Sequence, residues 1–519
     1  MNKRLILIIV AVLVALGLGV GAWLYYGQAD TPAATAEPVT YSGYDFPASA
    51  KEIDWKDREI FKAGLVDSAV GSLKDLSRAS TYYISLEIAP DLVSPIKGHQ
   101  IVRFFNTEKG ALTEIYFRLY PNFQGGKIEV SHMTLDGGAM IPSLESADTA
   151  LRVDLKDPLQ PGESLVMEMD FELSIPTEMG GNYGLYGYFE DVLVLDTFYP
   201  MIPAFDENGW NKQTPQNNGD LTYTDASFYI VQVKAPADLV LASSGVAVDQ
   251  QIKGSTQTTV FASGPARDFY LAGSRKFVEI NEQIGETLVR VYTRPEYSVN
   301  QAYALDYATH AIEILSRQVG EYPYTEFEIL SSPMRALGIE YPGITSIVVD
   351  EFVDGVELYG MPSEQMLEST LAHETGHMWF YNTVGNDQQN QPWVDEALVQ
   401  YMTYIYYLDR YGDGDGYVES WKYRWSRVEN ADIPIGLPAG EYHGAEYSGI
   451  VYGRGPLFFY DLENKYGLDT VMSAVQSYYQ DHLWGNGTTE DIRAALEDAC
   501  DCDLSAEFED WVYEKPYVE

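Results

Sequence analysis

Cysteine is almost missing from this 519-residue chain, which contains only Cys500 and Cys502. A C-x-C pair supplies neither a disulfide framework nor four metal ligands, and its spacing leaves a local disulfide and two free thiols both open. Positive charge is scarce too: 33 Lys and Arg stand against 77 Asp and Glu, for a formal net charge of −44. A surface of that sign repels phosphate backbones and excludes nucleic acid as a partner class. The chain also lacks the composition of a disordered acidic polymer, because 46% of it is hydrophobic and 13% aromatic. No internal repeat is present. At about 150 residues per domain the length corresponds to roughly three units, each able to bury a core.

One long apolar run occurs. After Lys3 and Arg4, residues Leu5 to about Tyr26 carry no charge, and Trp23, Tyr25 and Tyr26 close the run as an interfacial belt. The segment 1–27 is expected to be a transmembrane signal anchor, with the body outside the cytoplasm. Cleavage at Ala34-Thr35-Ala36 is the competing reading and would give a secreted protein. No cysteine follows the run, which argues against a lipid anchor.

Residues 28–78 are expected to be a stalk of Ala, Thr, Pro and acids, followed by a short helical lead-in from about Asp54 to Leu76. Over 79–285 the apolar period becomes two: Tyr82, Ile84, Leu86 and Ile88 alternate, as do Leu165, Met167, Met169, Phe171 and Leu173. Half-buried strands without helical crossovers predict a β-sandwich. Near residue 300 the period changes to helical, with Leu305, Ala308, Ile312, Leu315 and Val319 on one face and Gly320 as a C-terminal cap. A second domain, 286–519, is expected to be mainly helical, with a strand hairpin between Phe327 and Val349. The fold class is therefore α+β and multidomain.

The sharpest chemical signal is His373-Glu374-Thr375-Gly376-His377, preceded by a helix start at Ser363. Residues four apart share a helix face, so two imidazoles can bind one zinc ion while Glu374 reaches a water as general base. Chance produces about one such match in 150 chains of this composition. Catalytic zinc needs a third protein ligand and an open position. Glu396 fits that role, in a segment opened by Pro392 and Trp393, with eighteen residues between it and His377.

These motifs together resemble the gluzincin aminopeptidase family, relatives of aminopeptidase N and leukotriene hydrolase. Leu337-Gly338-Ile339-Glu340-Tyr341-Pro342-Gly343 is similar to the family's exopeptidase motif, usually Gly-x-Met-Glu-Asn. The resemblance implies that Glu340, with Gly338 beside it, binds the substrate's free α-amine. This copy departs from the motif at Leu337, Ile339 and Tyr341. Tyr452-Gly453-Arg454-Gly455-Pro456 resembles the segment whose tyrosine stabilises the tetrahedral intermediate, and its glycine context favours Tyr452 over Tyr447. Phe198-Tyr199-Pro200-Met201 and Ala266-Arg267-Asp268-Phe269 resemble landmarks of the family's saddle-like N-terminal β domain.

The likeness spans about residues 60 to 519 and stops where larger members add a helical C-terminal domain. It implies a thermolysin-like zinc peptidase domain after the β domain, one Zn2+ ion, and peptide substrates with free N-termini. An endopeptidase or other hydrolase with the same zinc site, and a catalytically silent membrane-anchored binding protein, are the alternatives. Asp413-Gly414-Asp415-Gly416 lacks the twelve-residue calcium loop and reads as a turn. His99, His132, His310, His443 and His482 have no partner at ligand spacing and read as structural or exposed. Oligomeric state is not encoded in any of these motifs.

Overall fold

Period-two alternation builds the expected strands, and most of them enter one large sheet. The computed structural model describes residues 43–180, 183–216 and 218–513. The apolar anchor and the Pro-containing stalk before residue 43 lie outside the described residues. Among those described, no helix is long and apolar enough to cross a membrane.

The eight-stranded sheet runs Val246–Lys253, Thr256–Ala266, Ser227–Pro236, Thr81–Glu87, Ile96–Phe105, Ser164–Ser174, Lys127–Leu135, Gly138–Ala139. Its pairs are antiparallel except Thr81–Glu87 with Ser227–Pro236, which run parallel with Tyr82 opposite Tyr229. Ile84, Leu86, Val102 and Met167 point into a core shared with Ile115 and Phe117 of a three-stranded sheet and with Leu193 and Leu271 of a four-stranded one. This is the layered β domain that the alternation predicts.

The expectation of half-buried strands fails at the centre of the large sheet. Tyr83, Ile101, Phe228 and Ile230 point to the opposite face and are buried as well, in a core that also holds Tyr324, Trp379 and Trp484. That second face meets the helical domain instead of water, so both side-chain sets of a central strand are apolar. The lead-in also differs from the single helix expected over 54–76. It consists of 3-10 turns at Glu59–Gly64 and Asp67–Ala69 and one α-turn at Ser72–Asp75. Its backbone pairs with the neighbouring chain: Val66 N–H donates to Pro323 O at 3.1 Å, and Thr325 N–H donates to Gly64 O at 3.2 Å. Groups used across that contact are not available for an i to i+4 ladder.

The helical domain contains α1 (Gln301–Gln318), α2 (Ser363–Gly376), α3 (Trp393–Tyr411), α4 (Asp415–Trp425) and α5 (Gly455–Tyr466), followed among the described residues by three further helices. A five-stranded sheet lies beside α2, ordered Val278–Ile284, Thr287–Thr293, Glu326–Ser332, Ile344–Val348, Gly338–Tyr341. The expected hairpin is formed by its last two strands, paired Glu340 with Thr345. Asp413 and Gly414 form the turn between α3 and α4. Cys500 and Cys502 are joined in a disulfide at the end of the helix Thr489–Cys500, which resolves the two readings of that pair.

Arg267 of the β domain holds the loop that follows α2. It is 2% exposed and donates to the carbonyls of Asn382 at 2.9 Å and Thr383 at 3.1 Å. Just before them, Tyr381 keeps φ at 136°, a conformation L-residues rarely adopt and one that persists only when its surroundings enforce it.

Candidate metal centre

Helix periodicity places the first two ligands. His373 lies in the last turn of α2, and His377 follows at φ −67° and ψ −12°, still helical, so the two rings share a face and meet edge to face, with centroids 4.7 Å apart. Their Nε2 atoms are 3.2 Å apart. Pro392, whose ring presets φ near the helical value, opens α3 and leaves Glu396 in its first turn. Glu396 Oε2 stands 3.1 Å from His373 Nε2 and 3.5 Å from His377 Nε2. A tetrahedral zinc with bonds of about 2.0–2.1 Å spaces its ligand atoms about 3.3 Å apart, and the three measured separations bracket that value.

Electrostatics agree with the geometry. Burial pushes the His373 pKa down to about 4, so its imidazole is neutral at pH 7. Burial opposes ionisation of Glu396, but hydrogen bonds from both imidazoles hold its carboxyl well below the usual range. Burial also disfavours charge on His377, while Glu340, Glu396 and Glu374 around it act in the opposite direction and prevail. A cluster with this excess of buried carboxylates is balanced by a divalent cation. Among the described residues, Glu340, Glu374 and His377 form a second cluster that could hold a metal. In that set His377 approaches Glu340 through Nδ1, 3.8 Å away, and Nδ1 is also 3.0 Å from Phe380 O, so the converging Nε2 pair with Glu396 is the better fit.

Glu374 is 5% exposed and lines the same cavity of about 1080 Å³ as the three ligands, Glu340 and Tyr452. Its pKa is pushed up to about 8, chiefly by burial. Gly338 faces it directly. A Cβ on Gly338 would lie 2.6 Å from both Cγ and Cδ of Glu374, so only glycine lets the strand come this close to that carboxylate. Glu340, one pleat further on, is 5% exposed, accepts a hydrogen bond from Gln388 Nε2 at 3.3 Å and lies 3.8 Å from His377 Nδ1. Burial holds its carboxyl well above the usual range.

Tyr452 belongs to a π-helical turn, Ile450–Arg454, immediately before α5. Pro456 has no N–H to donate to the Tyr452 carbonyl, which accounts for the wider turn there. Gly455 packs against Ala397 of α3, 2.6 Å from where its own Cβ would be, and so brings the turn onto the Glu396 helix. The Tyr452 hydroxyl donates to Glu396 Oε1, and its ring centroid lies 6.0 Å from that of His373. Tyr447 packs edge-on against Tyr452 at 5.6 Å and also lines the cavity. All seven candidate residues, His373, Glu374, His377, Glu396, Glu340, Gly338 and Tyr452, therefore converge.

Other groups in the site were not singled out in the sequence. Gln400 places its amide nitrogen 3.3 Å from His373 Nδ1, and its oxygen accepts from Tyr417 OH at 2.8 Å and Trp421 Nε1 at 3.1 Å. It lies four residues after Glu396, so the same i, i+4 rule that found the histidines marks it. Gln388 connects Glu340 to Asp395, donating to the latter at 3.0 Å. Asp220 enters the cavity from the β domain, with its pKa pushed up to about 7 by burial and by Glu396. Neither Gln388 nor Asp220 lies at a helical spacing from the ligands, and only the fold brings them there.

Comparison with known proteins gives one consistent grouping. Residues 303–511 match the family model described as Peptidase family M1 domain. Aminopeptidase M1-B of Oryza sativa subsp. japonica is 23% identical over 283 residues, covering 51% of this chain and 32% of that protein. Aminopeptidase 2 of Candida albicans is 21% identical over 407 residues, covering 74% and 42%. The chain thus spans about a third to two fifths of the length of these curated relatives. An M1 zinc metallopeptidase from Deinococcus radiodurans, solved with a Tyr-Ser-Ala substrate, superposes with a TM-score of 0.63 at 18% identity, covering 85% of this chain and 96% of that one. That likeness establishes the fold, a β-sheet domain followed by a helical one. The domain match falls on the helices that carry His373, His377 and Glu396, where a single zinc ion fits, so residues 303–511 of this chain are similar to the Peptidase family M1 domain.

Proposed function

We propose that this protein is a zinc-dependent hydrolase that removes residues from the N-termini of peptides. The observation that carries the reading is Glu340, a buried carboxylate beside the metal site with no lysine or arginine partner among the described residues. A substrate ammonium supplies the missing charge, and a charge-assisted contact at that point sets the scissile bond after the first residue.

Bound zinc supplies positive charge that polarises the scissile carbonyl and acidifies the attacking water. Glu374 takes a proton from that water and passes it to the leaving amine. The Tyr452 hydroxyl turns from Glu396 to donate to the oxyanion as its charge develops, an interaction stronger in the transition state than in the ground state. A second reading, cleavage of internal bonds by the same site, is favoured by one feature. Tyr341, in the place of the family's asparagine, stacks on Tyr270 with ring centroids 4.0 Å apart. It therefore offers no amide beside Glu340.

One peptide series with free and acetylated N-termini distinguishes the two. Only free-amine peptides are expected to be cut, one residue at a time, and Glu340→Gln should raise KM for them by about tenfold or more. Internal cleavage of acetylated peptides at equal rates would retain the zinc chemistry and reject the aminopeptidase. Gly338→Ala should lower kcat by about 10–100-fold with zinc content unchanged, because the added methyl displaces Glu374 and not a ligand. A wild-type kcat for this variant would refute the packing argument.

For the segment 1–27 the proposal is a transmembrane anchor that places the body outside the cytoplasm. It is supported by the uncharged run after Lys3 and Arg4. Membrane fractionation of the full chain against a chain starting near residue 30 tests it.

A further inference from the structure

Arg424 and Arg427 leave the C-terminal end of α4 and both line the cavity that contains the metal site. Neither makes an ion pair or a side-chain hydrogen bond to any described residue. In a chain with 77 acids to 33 bases this is unusual, and other arginines show the common outcome. Arg410 pairs with Asp306 at 2.6 Å, Arg317 with Asp409 at 2.6 Å and Arg294 with Glu190 at 2.7 Å. The helix dipole favours a cation at a helix C-terminus, but it does not account for two of them lining one cavity with neither paired to a carboxylate among the described residues.

Their position relative to Glu340 gives the cavity a polarity. On α2, His377 is the ligand on the Glu340 side, 3.8 Å away. His373, one turn earlier, is held from the α4 side through Gln400, Tyr417 and Trp421. Arg424 follows Trp421 by three residues and shares its helix face. Glu340 therefore stands on the His377 side of the metal site and α4 on the His373 side, and the two arginines line the cavity that joins them.

We propose that Arg424 and Arg427 bind the free C-terminal carboxylate of short peptide substrates. This rests on the aminopeptidase reading and deepens it, since a peptide whose ammonium sits at Glu340 and whose first carbonyl lies at the metal site runs toward α4. The planar guanidinium fork suits a carboxylate, and Arg424, half-buried, contributes more than the exposed Arg427.

The test uses the zinc-loaded protein and four substrates sharing one first residue: a tripeptide acid, its C-terminal amide, the same amide with Asp at the second position, and the aminoacyl anilide. The acid is expected to exceed the plain amide at least tenfold in kcat/KM, mainly through KM, and the Arg424→Gln/Arg427→Gln double variant should bring the ratio to about one. Equal cleavage of acid and amide by the wild type, with the anilide cut, would overturn the carboxylate assignment and leave the aminopeptidase intact. A gain for the Asp amide alone would assign the pair to an acidic side chain and overturn the C-terminal reading. A double variant that kept the wild-type ratio would reject these two residues. No cleavage of any of the four despite bound zinc would remove both the inference and the reading beneath it.

Discussion

Glu374→Gln should lower kcat by about 10³-fold or more and leave one zinc ion per chain. General-base catalysis is worth about 10²–10⁴-fold, and an amide cannot accept the proton, so the loss approaches the upper part of that range, about 4 kcal/mol or more of barrier. The metal is retained because Glu374 is not one of the three residues whose atoms stand 3.1–3.5 Å apart around the ligand position. The fold is retained because glutamine has the same shape against Gly338. Initial rates on a free-amine tripeptide, read beside zinc content by elemental analysis, provide the check. Wild-type turnover in this variant would reject Glu374 as the base.

His377→Ala should abolish both zinc binding and activity, and should destabilise the protein by about 3–5 kcal/mol. The ring is fully buried, with Glu340, Glu374 and Glu396 around it. Its removal deletes an imidazole and, with the ion gone, leaves those carboxylates uncompensated, which is the costly way to break a buried charge cluster. The wild type should also lose thermal stability on chelation, because an ion bound only by the native state stabilises it by about 4 kcal/mol at a thousandfold excess over Kd. The variant should melt at the same temperature with and without chelator. Zinc at the wild-type level in His377→Ala would refute the ligand assignment.

How much of this site could be read from the chain depends on how local each relation is. His373 and His377 are one helical turn apart, so periodicity alone converts their spacing into a shared face, and Pro392 four residues before Glu396 fixes where the third ligand's helix begins. Glu340 and Tyr452 were recognisable only because their flanking glycines resemble a family pattern. The physical purpose of those glycines became clear in three dimensions. Gly338 clears space for Glu374, thirty-six residues away in sequence, and Gly455 seats its turn on Ala397.

The strands show the same division. Alternation in Tyr82, Ile84 and Leu86 correctly marks a strand and one buried face, since side chains alternate sides whatever lies above them. It could not show that Tyr83 is buried too, because that follows from the helical domain resting on the other face. The lead-in at 54–76 has helix-forming residues, yet its backbone bonds to 323–325 across the fold, and the tertiary partner prevailed over local propensity.

By itself, then, the sequence determined the strand and helix periods, the residues of the zinc site and the candidate general base beside them, because each is set by spacing along one element or by an adjacent residue. Tertiary structure alone decided the burial of the central sheet on both faces, the positions of Gln388 and Asp220, the Cys500–Cys502 bond and the place of two arginines, unpaired among the described residues, in the lining of the metal-site cavity. For the sheet, Gln388, Asp220 and the arginines, the deciding contacts join distant parts of the chain, whose proximity comes from packing. The Cys500–Cys502 pair is close in sequence, but its spacing was equally compatible with bonded and free sulfurs, and the conformation at the end of the helix is what brings them together.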